Sequence, residues 1–212
     1  MAERLPDGGS AVDKNKLEEL IQEINKKYRF WGMFAWALSI EDEDKSNLEK
    51  IDEDNPKVKV MDMFNKSGVY RGRRFAVAKV KQPEHAEFRL LKDFRLQSDE
   101  GDLLVFHSHA SPCTTTCTNE KNPHNIIKRI KKVITEGKWT RCVWVYNVIF
   151  KPKGIVHIDE EDLSQGLKNL THSGIPLANI FRCFTPKNTK IVECISCSSA
   201  GEVTKECIDY DA

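Results

Sequence analysis

The chain lacks three features that would each have narrowed its function at once. No stretch approaches the twenty consecutive apolar residues that a membrane helix needs, which excludes a helical membrane span. Basic and acidic residues nearly cancel, at 33 and 32, so the net charge of +1 provides no general attraction to polynucleotide phosphates, although a local basic patch stays possible. No internal repeat is visible, which excludes a repeat array. The 212 residues, of which 40% are hydrophobic and 31% charged, are typical of one globular domain.

The first residues also lack the apolar run of a signal peptide, so the sequence predicts a cytoplasmic protein. The alternative is a secreted protein from which a leader has been removed. Two triplets typical of N-glycosylation, Asn65-Lys66-Ser67 and Asn169-Leu170-Thr171, favour that alternative. Four of the seven cysteines crowd the last thirty residues, and the sequence leaves open whether they are reduced thiols or disulfides: Cys183, Cys194, Cys197 and Cys207.

Helical and strand patterns alternate along residues 13–212 and predict a single α/β domain. Residues 1–12 are expected to be disordered, and a cysteine-rich extension is expected from about residue 186 to residue 212. Asp13 is expected to cap a helix that runs through Lys27. Helices are also predicted from Pro83, over 123–136 and over 161–170, and strands over 30–40, 58–64, 73–81, 103–106, 141–150, 180–184 and 191–195. The tryptophans are expected mostly in the core: Trp31, Trp36, Trp139 and Trp144.

The most informative motif pairs a histidine and a glutamate with two later cysteines. His85 and Glu87 lie in Pro83-Glu84-His85-Ala86-Glu87, and Cys113 and Cys117 lie in Ser111-Pro112-Cys113-Thr114-Thr115-Thr116-Cys117. One imidazole nitrogen and two thiolates are a three-ligand set for Zn²⁺, and a zinc ion with three protein ligands keeps a fourth position for water or substrate. The spacing follows the H-x-E and P-C-x-x-C signature of zinc deaminases, with one extra residue between the cysteines. The sequence therefore predicts a catalytic zinc site with Glu87 as the proton carrier rather than a ligand.

Both parts of the motif are expected where a strand has ended and a helix begins. Helix N-termini carry partial positive charge and free N–H groups, which favour thiolate at Cys113 and Cys117. Cys142, in an apolar strand-like run, is expected to pack in the core.

On these residues the chain resembles the zinc-dependent cytidine deaminase superfamily, and in particular its AID/APOBEC branch. Ser111-Pro112-Cys113 is similar to that branch's Ser-Pro-Cys, and residues 166–175 are similar to the Gly-Leu helix and turn that precede its last core strand. The resemblance covers roughly residues 28–185. It implies a three-layer α/β/α fold around a five-stranded mixed sheet, whose fourth and fifth strands flank that helix and run parallel. It also implies hydrolytic deamination of cytosine to uracil, a reaction at a C–N bond of a cyclic amidine.

The resemblance implies substrate contacts at Ala86, Ser111, His109 and Phe150. Phe150 lies in the loop that selects sequence in the AID/APOBEC branch. That branch has a tryptophan before Ser-Pro-Cys, where this chain has Ala110, which opens the base pocket and removes a stacking surface.

Several alternatives stay open. His107-Ser108-His109 resembles the metal pair of the JAB-type metalloproteases, but Cys117 and Glu120 stand where that family needs serine and an acid. The preferred substrate is single-stranded DNA or RNA, and the alternative is a free cytosine nucleoside or nucleotide. A catalytically silent, zinc-stabilised binding protein is the third hypothesis. Neither the oligomeric state nor the preferred flanking base can be predicted from the sequence.

Overall fold

A mixed seven-stranded sheet organises the computed structural model, which describes residues 12–41, 51, 53–152, 154 and 158–210. The strands follow the spatial order β2-β3-β1-β4-β5-β6-β7, and β8 and β9 form a separate small hairpin. Their bounds are β1 Phe34–Glu41, β2 Val69–Arg71, β3 Phe75–Lys79, β4 Asp102–Ala110, β5 Arg141–Val148, β6 Ile180–Phe184, β7 Glu193–Ser196, β8 Ser198–Ser199 and β9 Glu202–Val203.

Helices cover both faces of the sheet. They are α1 Lys14–Tyr28, α2 Lys57–Lys66, α3 Ala86–Leu91, α4 Ile127–Glu136 and α5 Glu160–Thr171. One face, called here the site face, packs against α3, α4 and α5, and the opposite or far face packs against α1 and α2. The predicted three-layer α/β/α arrangement is therefore confirmed. Among the described residues, no helix combines the length and apolar character required to cross a membrane.

The first helix forms as its sequence predicts. The Asp13 side chain accepts a hydrogen bond of 2.9 Å from the backbone N–H of Asn15, which satisfies a donor that the helix itself leaves unpaired. The apolar side chains, spaced three or four residues apart, are buried on the far face: Leu17, Leu20, Ile21 and Ile24. The predicted disordered segment, residues 1–12, lies outside the described residues except for Val12, which is buried.

Two helical crossovers produce the parallel part of the sheet. The α4 helix connects β4 to β5, and α5 connects β5 to β6. Val105 of β4 pairs with Val143 of β5, and Trp144 of β5 pairs with Ile180 of β6, both in parallel register. The predicted parallel arrangement of the strands that flank the Gly-Leu helix is confirmed. Parallel strands end at the same edge, so the segments after β4 and β5 emerge side by side.

Two details of the predicted fold are corrected. The sheet has seven strands rather than five, because the three-residue β2 pairs with β3 at one edge and β7 forms a hairpin with β6 at the other. Residues 58–64 were predicted as a strand but belong to α2. Val60 and Phe64, four residues apart, are fully buried while Val58 is 82% exposed, which is the period of a helix and not of a strand.

Candidate metal centre and active site

His85 sits at the start of the short helix α3. The chain leaves β3 at Lys79, makes an isolated bridge between Lys81 and Glu84, and enters the helix at Ala86. His85 is the residue just before the helix, and its carbonyl accepts the first helical hydrogen bond, from the N–H of Arg89 at 3.1 Å. Glu87 lies in the first turn and is buried. The helix was predicted to open at Pro83, and the bridge between Lys81 and Glu84 delays it by three residues.

The two cysteines lie in a compact turn immediately after β4. The Ser111 N–H donates to the carbonyl of Val148 at the end of β5, which fixes where the chain leaves the sheet. The Thr118 N–H then donates to the Cys113 carbonyl at 3.0 Å, and the Cys117 N–H lies 3.4 Å from the Cys113 sulfur. These bonds close residues 113–118 into one turn, called here the cysteine turn, and direct both sulfurs to the same place.

The helix expected after the second cysteine begins later than predicted, at Ile127 rather than Pro123. Asparagine side chains stabilise a non-helical turn instead. The Asn122 side-chain oxygen accepts from the His124 N–H at 2.8 Å, and the Asn125 side-chain amide donates to the Asn122 carbonyl at 2.7 Å. Such local bonds compete with the helical pattern, so Asn122-Pro123 ends one turn rather than starting a helix.

The α5 helix braces the cysteine turn from outside. A Cβ atom added to Gly166 would lie 3.0 Å from the Thr114 methyl group and 3.5 Å from the Pro112 carbonyl, so the absence of a side chain allows this close approach. The Asn169 side-chain amide also donates to the Thr118 carbonyl at 3.4 Å. The Gly-Leu helix of the sequence motif therefore contacts the turn that carries both candidate thiolate ligands.

Three side chains converge in a geometry that suits a metal ion. The ligand atoms of His85, Cys113 and Cys117 all lie within 4.8 Å of one another. The His85 Nδ1 atom lies 3.3 Å from the Cys117 sulfur and 3.6 Å from the Cys113 sulfur. Tetrahedral zinc with ordinary bond lengths separates a nitrogen and a sulfur ligand by about 3.5 Å. The donor set and its spacing therefore fit zinc, with Nδ1 as the histidine donor.

Each sulfur of the cluster changes the pKa of the other. Hydrogen bonding from the Cys117 thiol, and then from His85, lowers the pKa of Cys113 to about 3, while the same contact with Cys113 raises the pKa of Cys117 well above its ordinary value. Protein groups alone thus stabilise one thiolate. A divalent cation held by these residues would favour the deprotonated form of both coordinating thiols and would supply the positive charge that a second thiolate needs.

Glu87 is the acid of this cluster. Burial raises the pKa of Glu87 to about 7, against smaller opposing contributions from its own backbone N–H and from His85. No salt bridge to Glu87 forms among the described residues. A buried carboxyl group of this kind can accept and release a proton near neutral pH.

The structure brings three of the four predicted substrate residues to the cluster. Ala86 lies between His85 and Glu87 and is buried. Ser111 is buried two residues before Cys113, and its Oγ accepts a hydrogen bond of 2.9 Å from the Phe150 N–H. The Phe150 ring lies 6.3 Å from the His85 ring, centroid to centroid. Their roles in binding substrate stay predictions, but their positions are compatible with them.

His109 is not brought to the cluster. Side chains alternate along β4, so Leu104 and Phe106 face the site while Val105, His107 and His109 face the far side. The His109 ring packs against Phe34 at 5.4 Å. His107 stacks on Trp36 at 4.6 Å with an interplanar angle of 4°. The resemblance of this pair to a metalloprotease motif therefore has no structural counterpart, since both imidazoles pack against aromatic rings.

The sequence did not indicate the positions of two aromatic residues. Trp31, expected in the core, is 57% exposed, with the Lys79 ammonium 3.0 Å from its ring centroid. The Trp31 ring also contacts Phe64 of α2 at 6.5 Å, so it lies on the far face of the sheet and not at the candidate metal centre. The neighbouring Gly32, with a φ of +73°, was the available signal for a turn there. Tyr210 contacts Phe150 from the far C-terminal part of the chain, and no local pattern could have indicated this.

The four late cysteines form two disulfides, Cys183–Cys194 and Cys197–Cys207. The first joins β6 to β7 on the far face, and the second lies in the core of the site face. Cys142 is a buried free thiol, as predicted. Structural disulfides are characteristic of proteins from oxidising compartments.

A protein-family model described as SNAD1, Secreted Novel AID/APOBEC-like Deaminase 1, matches residues 14–211. No curated protein and no solved structure matches the chain. The description of the family as secreted agrees with the alternative of an exported chain, and the cytoplasmic expectation finds no support.

Proposed function

The chain belongs to this family of AID/APOBEC-like deaminases, and from that membership we propose that it hydrolytically deaminates cytosine to uracil in single-stranded DNA or RNA. His85, Cys113 and Cys117 are the zinc ligands in this proposal, and Glu87 is the catalytic acid and base. The observation that carries the proposal is the buried Glu87 carboxyl group beside a histidine and two sulfurs with zinc-like spacing. A purely structural metal site has no use for that carboxyl group.

The chain's own residues divide the reaction between them. A bound zinc ion supplies a Lewis acid that lowers the pKa of water. Glu87 takes a proton from the attacking water and delivers it to N3 of the cytosine ring, while the water oxygen bonds to C4. Glu87 then transfers the second proton to the amino group, the C4–N bond breaks, and ammonia leaves. Ala86 and Ser111, held beside the ligands, are the proposed walls of the base pocket.

Two residues that follow β5 favour a polymeric substrate. In this proposal the Phe150 ring, 6.3 Å from the His85 ring, stacks on a base, and the exposed Lys151 beside it pairs with a phosphate. The near-neutral net charge instead favours the second candidate, a deaminase of free cytidine or its nucleotides.

We also propose that the protein works in an oxidising, extracellular compartment. The two disulfides and the family's description as secreted support this proposal.

The decisive experiment compares the wild-type protein with Glu87→Gln on labelled oligonucleotides and on free cytidine, with the zinc content measured in each sample. We expect uracil from the wild type and a loss of about a hundredfold or more in Glu87→Gln, the usual contribution of a general acid–base group, without loss of zinc. Glu84→Gln is the matched control, because it makes the same chemical change one residue before His85. The Glu84 carboxylate forms a partly exposed salt bridge with Lys92 at 3.2 Å, and the loss of such a pair costs little.

Equal activity of the wild type and Glu87→Gln would overturn the proposed role of Glu87. Zinc-loaded wild type that is inactive on every cytosine substrate would favour the third reading, a zinc-stabilised binding protein. Turnover of cytidine without turnover of oligonucleotides would select the second candidate.

A further inference from the structure

The last part of the chain returns to the site face. Residues 197–210, called here the C-terminal segment, contain the β8–β9 hairpin and a short 3₁₀ turn at Lys205–Cys207. Cys197, Cys207 and Ile208 are buried in the same hydrophobic core as the candidate metal ligands. The segment is therefore part of the layer that carries the site.

Several buried bonds fix the C-terminal segment to the sheet. The Tyr146 hydroxyl of β5 donates to the Cys207 carbonyl at 2.7 Å. The Arg182 guanidinium of β6 donates to the carbonyls of Glu206 at 2.5 Å and Asp209 at 2.9 Å. The Cys197–Cys207 disulfide closes the segment on itself. Residues 206–209 thus have a defined position relative to the strands, and Tyr210 follows directly.

Tyr210 contacts two of the described residues between β5 and α5 (149–152, 154 and 158–159), which are called here the β5–α5 loop. Its hydroxyl donates to the Phe150 carbonyl at 2.9 Å. Burial raises the pKa of Tyr210, and a hydrogen bond from the backbone of Ile158 to the phenol opposes that rise. One hydroxyl therefore links Phe150 to Ile158.

The loop in turn touches the candidate active site. The Phe150 N–H donates to Ser111 Oγ, and the Phe150 ring lies 6.3 Å from the His85 ring. A continuous series of contacts runs from the Cys197–Cys207 disulfide through Tyr210 and Phe150 to Ser111, two residues before Cys113. Because the hydroxyl is bound on two sides, a displacement of Tyr210 would release both contacts with the loop at once.

We propose that Tyr210 is a positioning residue for substrate recognition: its hydroxyl, held in place by the disulfide-closed C-terminal segment, fixes the β5–α5 loop and thereby sets which nucleotides beside the target cytosine are accepted. The proposal rests on the deaminase function proposed above. It gives the C-terminal segment and the Cys197–Cys207 disulfide a role in specificity as well as in stability.

The test is Tyr210→Phe, which removes the hydroxyl and keeps the ring. We expect the KM for oligonucleotides to rise on the order of tenfold, the effect of losing about one net hydrogen bond of loop positioning, with kcat and zinc content little changed. We also expect the preference for particular flanking bases to weaken. Lys168→Ala, which removes an exposed ion pair between α5 and Glu202 of the same segment, is the matched control and should leave KM unchanged.

A second comparison removes one disulfide at a time. Cys197→Ala/Cys207→Ala should reproduce the rise in KM, whereas Cys183→Ala/Cys194→Ala on the far face should lower thermal stability without changing KM or flanking preference. If both double variants fold and change KM equally, the disulfide is not specific to loop positioning and that part of the proposal fails.

Hydrogen exchange separates this proposal from the proposed function. The amides of Phe150 and Ile158 should exchange faster in Tyr210→Phe than in the wild type, whether or not a substrate is known. Wild type without activity on any cytosine substrate would overturn the proposed function, and the exchange result would still decide whether Tyr210 holds the loop. Unchanged exchange together with unchanged KM and flanking preference in folded Tyr210→Phe would overturn the inference.

Discussion

The two faces of the sheet contain the same reactive residue types in opposite circumstances. On the site face, the Nδ1 atom of His85 lies within 3.6 Å of two sulfurs, and a buried carboxyl group stands two residues away. On the far face, His107 is stacked on Trp36, and neither ring nitrogen makes a hydrogen bond of normal geometry among the described residues. Burial lowers the pKa of His107 to about 3, so this ring stays neutral.

Position in the strand accounts for the contrast. His107 lies inside β4, whose backbone pairs with β1 on one side and with β5 on the other. Its side chain can therefore contact only the residues that pack on the far face of the sheet. His85, Cys113 and Cys117 lie just beyond strand ends, where the chain turns and several segments can approach one another. A histidine beyond the strand ends therefore meets two sulfurs, whereas a histidine in the middle of a strand meets aromatic rings.

Removal of a candidate metal ligand should have the largest effect, and this effect should be confined to the site face. Cys117→Ser replaces a thiolate with a weaker oxygen donor, so we expect zinc affinity to fall by more than about a hundredfold. Loss of a residue that only supports a metal ligand already lowers affinity roughly 10- to 100-fold. Deamination should disappear with the metal. Zinc titration with a competing chelator measures the affinity, and an oligonucleotide assay measures the activity.

Cys142→Ala is the control for the ligand variant. Cys142 is buried on the same face but makes no part of the ligand cluster. Its removal should cost some stability and leave zinc affinity unchanged. If Cys142→Ala lost as much zinc as Cys117→Ser, the loss would come from general destabilisation of the fold, and Cys117 would not be a metal ligand.

A substitution in α5 should perturb the site without touching a ligand. In Gly166→Val the new side chain would collide with Thr114 and the Pro112 carbonyl, so the cysteine turn must shift. We expect zinc affinity to fall roughly tenfold, as it does when a residue that supports a metal ligand is changed. Overpacking should also lower the free energy of unfolding by about 1–3 kcal/mol. Gly166→Ala should have a smaller effect of the same kind.

Lys168→Val tests whether this effect is specific to the turn. Lys168 is exposed on the same helix, so the variant carries the cost of a β-branched residue without the collision. Zinc bound as tightly by Gly166→Val as by Lys168→Val would contradict the proposed bracing by α5.

The last expected effect concerns the far face and the pH dependence of its contribution to stability. The folded state keeps His107 neutral down to about pH 3, whereas the unfolded chain binds a proton below about pH 6.5, so acid favours unfolding across this window. Between pH 7 and pH 5 this residue should remove about 2 kcal/mol from the free energy of unfolding, at 1.36 kcal/mol for each pH unit below 6.5.

His107→Phe should flatten that dependence, because phenylalanine retains a ring against Trp36 and does not titrate. Urea unfolding at the two pH values measures the difference between the proteins, and the nearby His109, whose pKa burial also lowers, remains in both. His172→Gln, at an exposed histidine paired with Glu120, is the control. A slope of stability against pH that is the same in wild type and His107→Phe would contradict this assignment.

Local sequence signals indicated which side chains meet better than they indicated the limits of the strands and helices. Metal chemistry restricts residue type and spacing, so His85, Cys113 and Cys117 could be predicted to lie together, and the structure brings their ligand atoms within 4.8 Å of one another. Strand limits were harder to predict. The β4 strand extends through Ala110, four residues beyond its predicted end, and this extension turns His109 to the far face. Contacts between distant parts of the chain, such as Gly166 with Thr114 or Tyr210 with Phe150, leave no periodic pattern that a single sequence can display.

The zinc content of the intact protein tests the central claim most directly. Native mass spectrometry of wild type and Glu87→Gln, each purified in the presence of zinc, should find one zinc ion per chain in both, since three ligands hold the metal and Glu87 is not one of them. Folded wild-type protein without metal, or loss of the zinc in Glu87→Gln, would contradict the account.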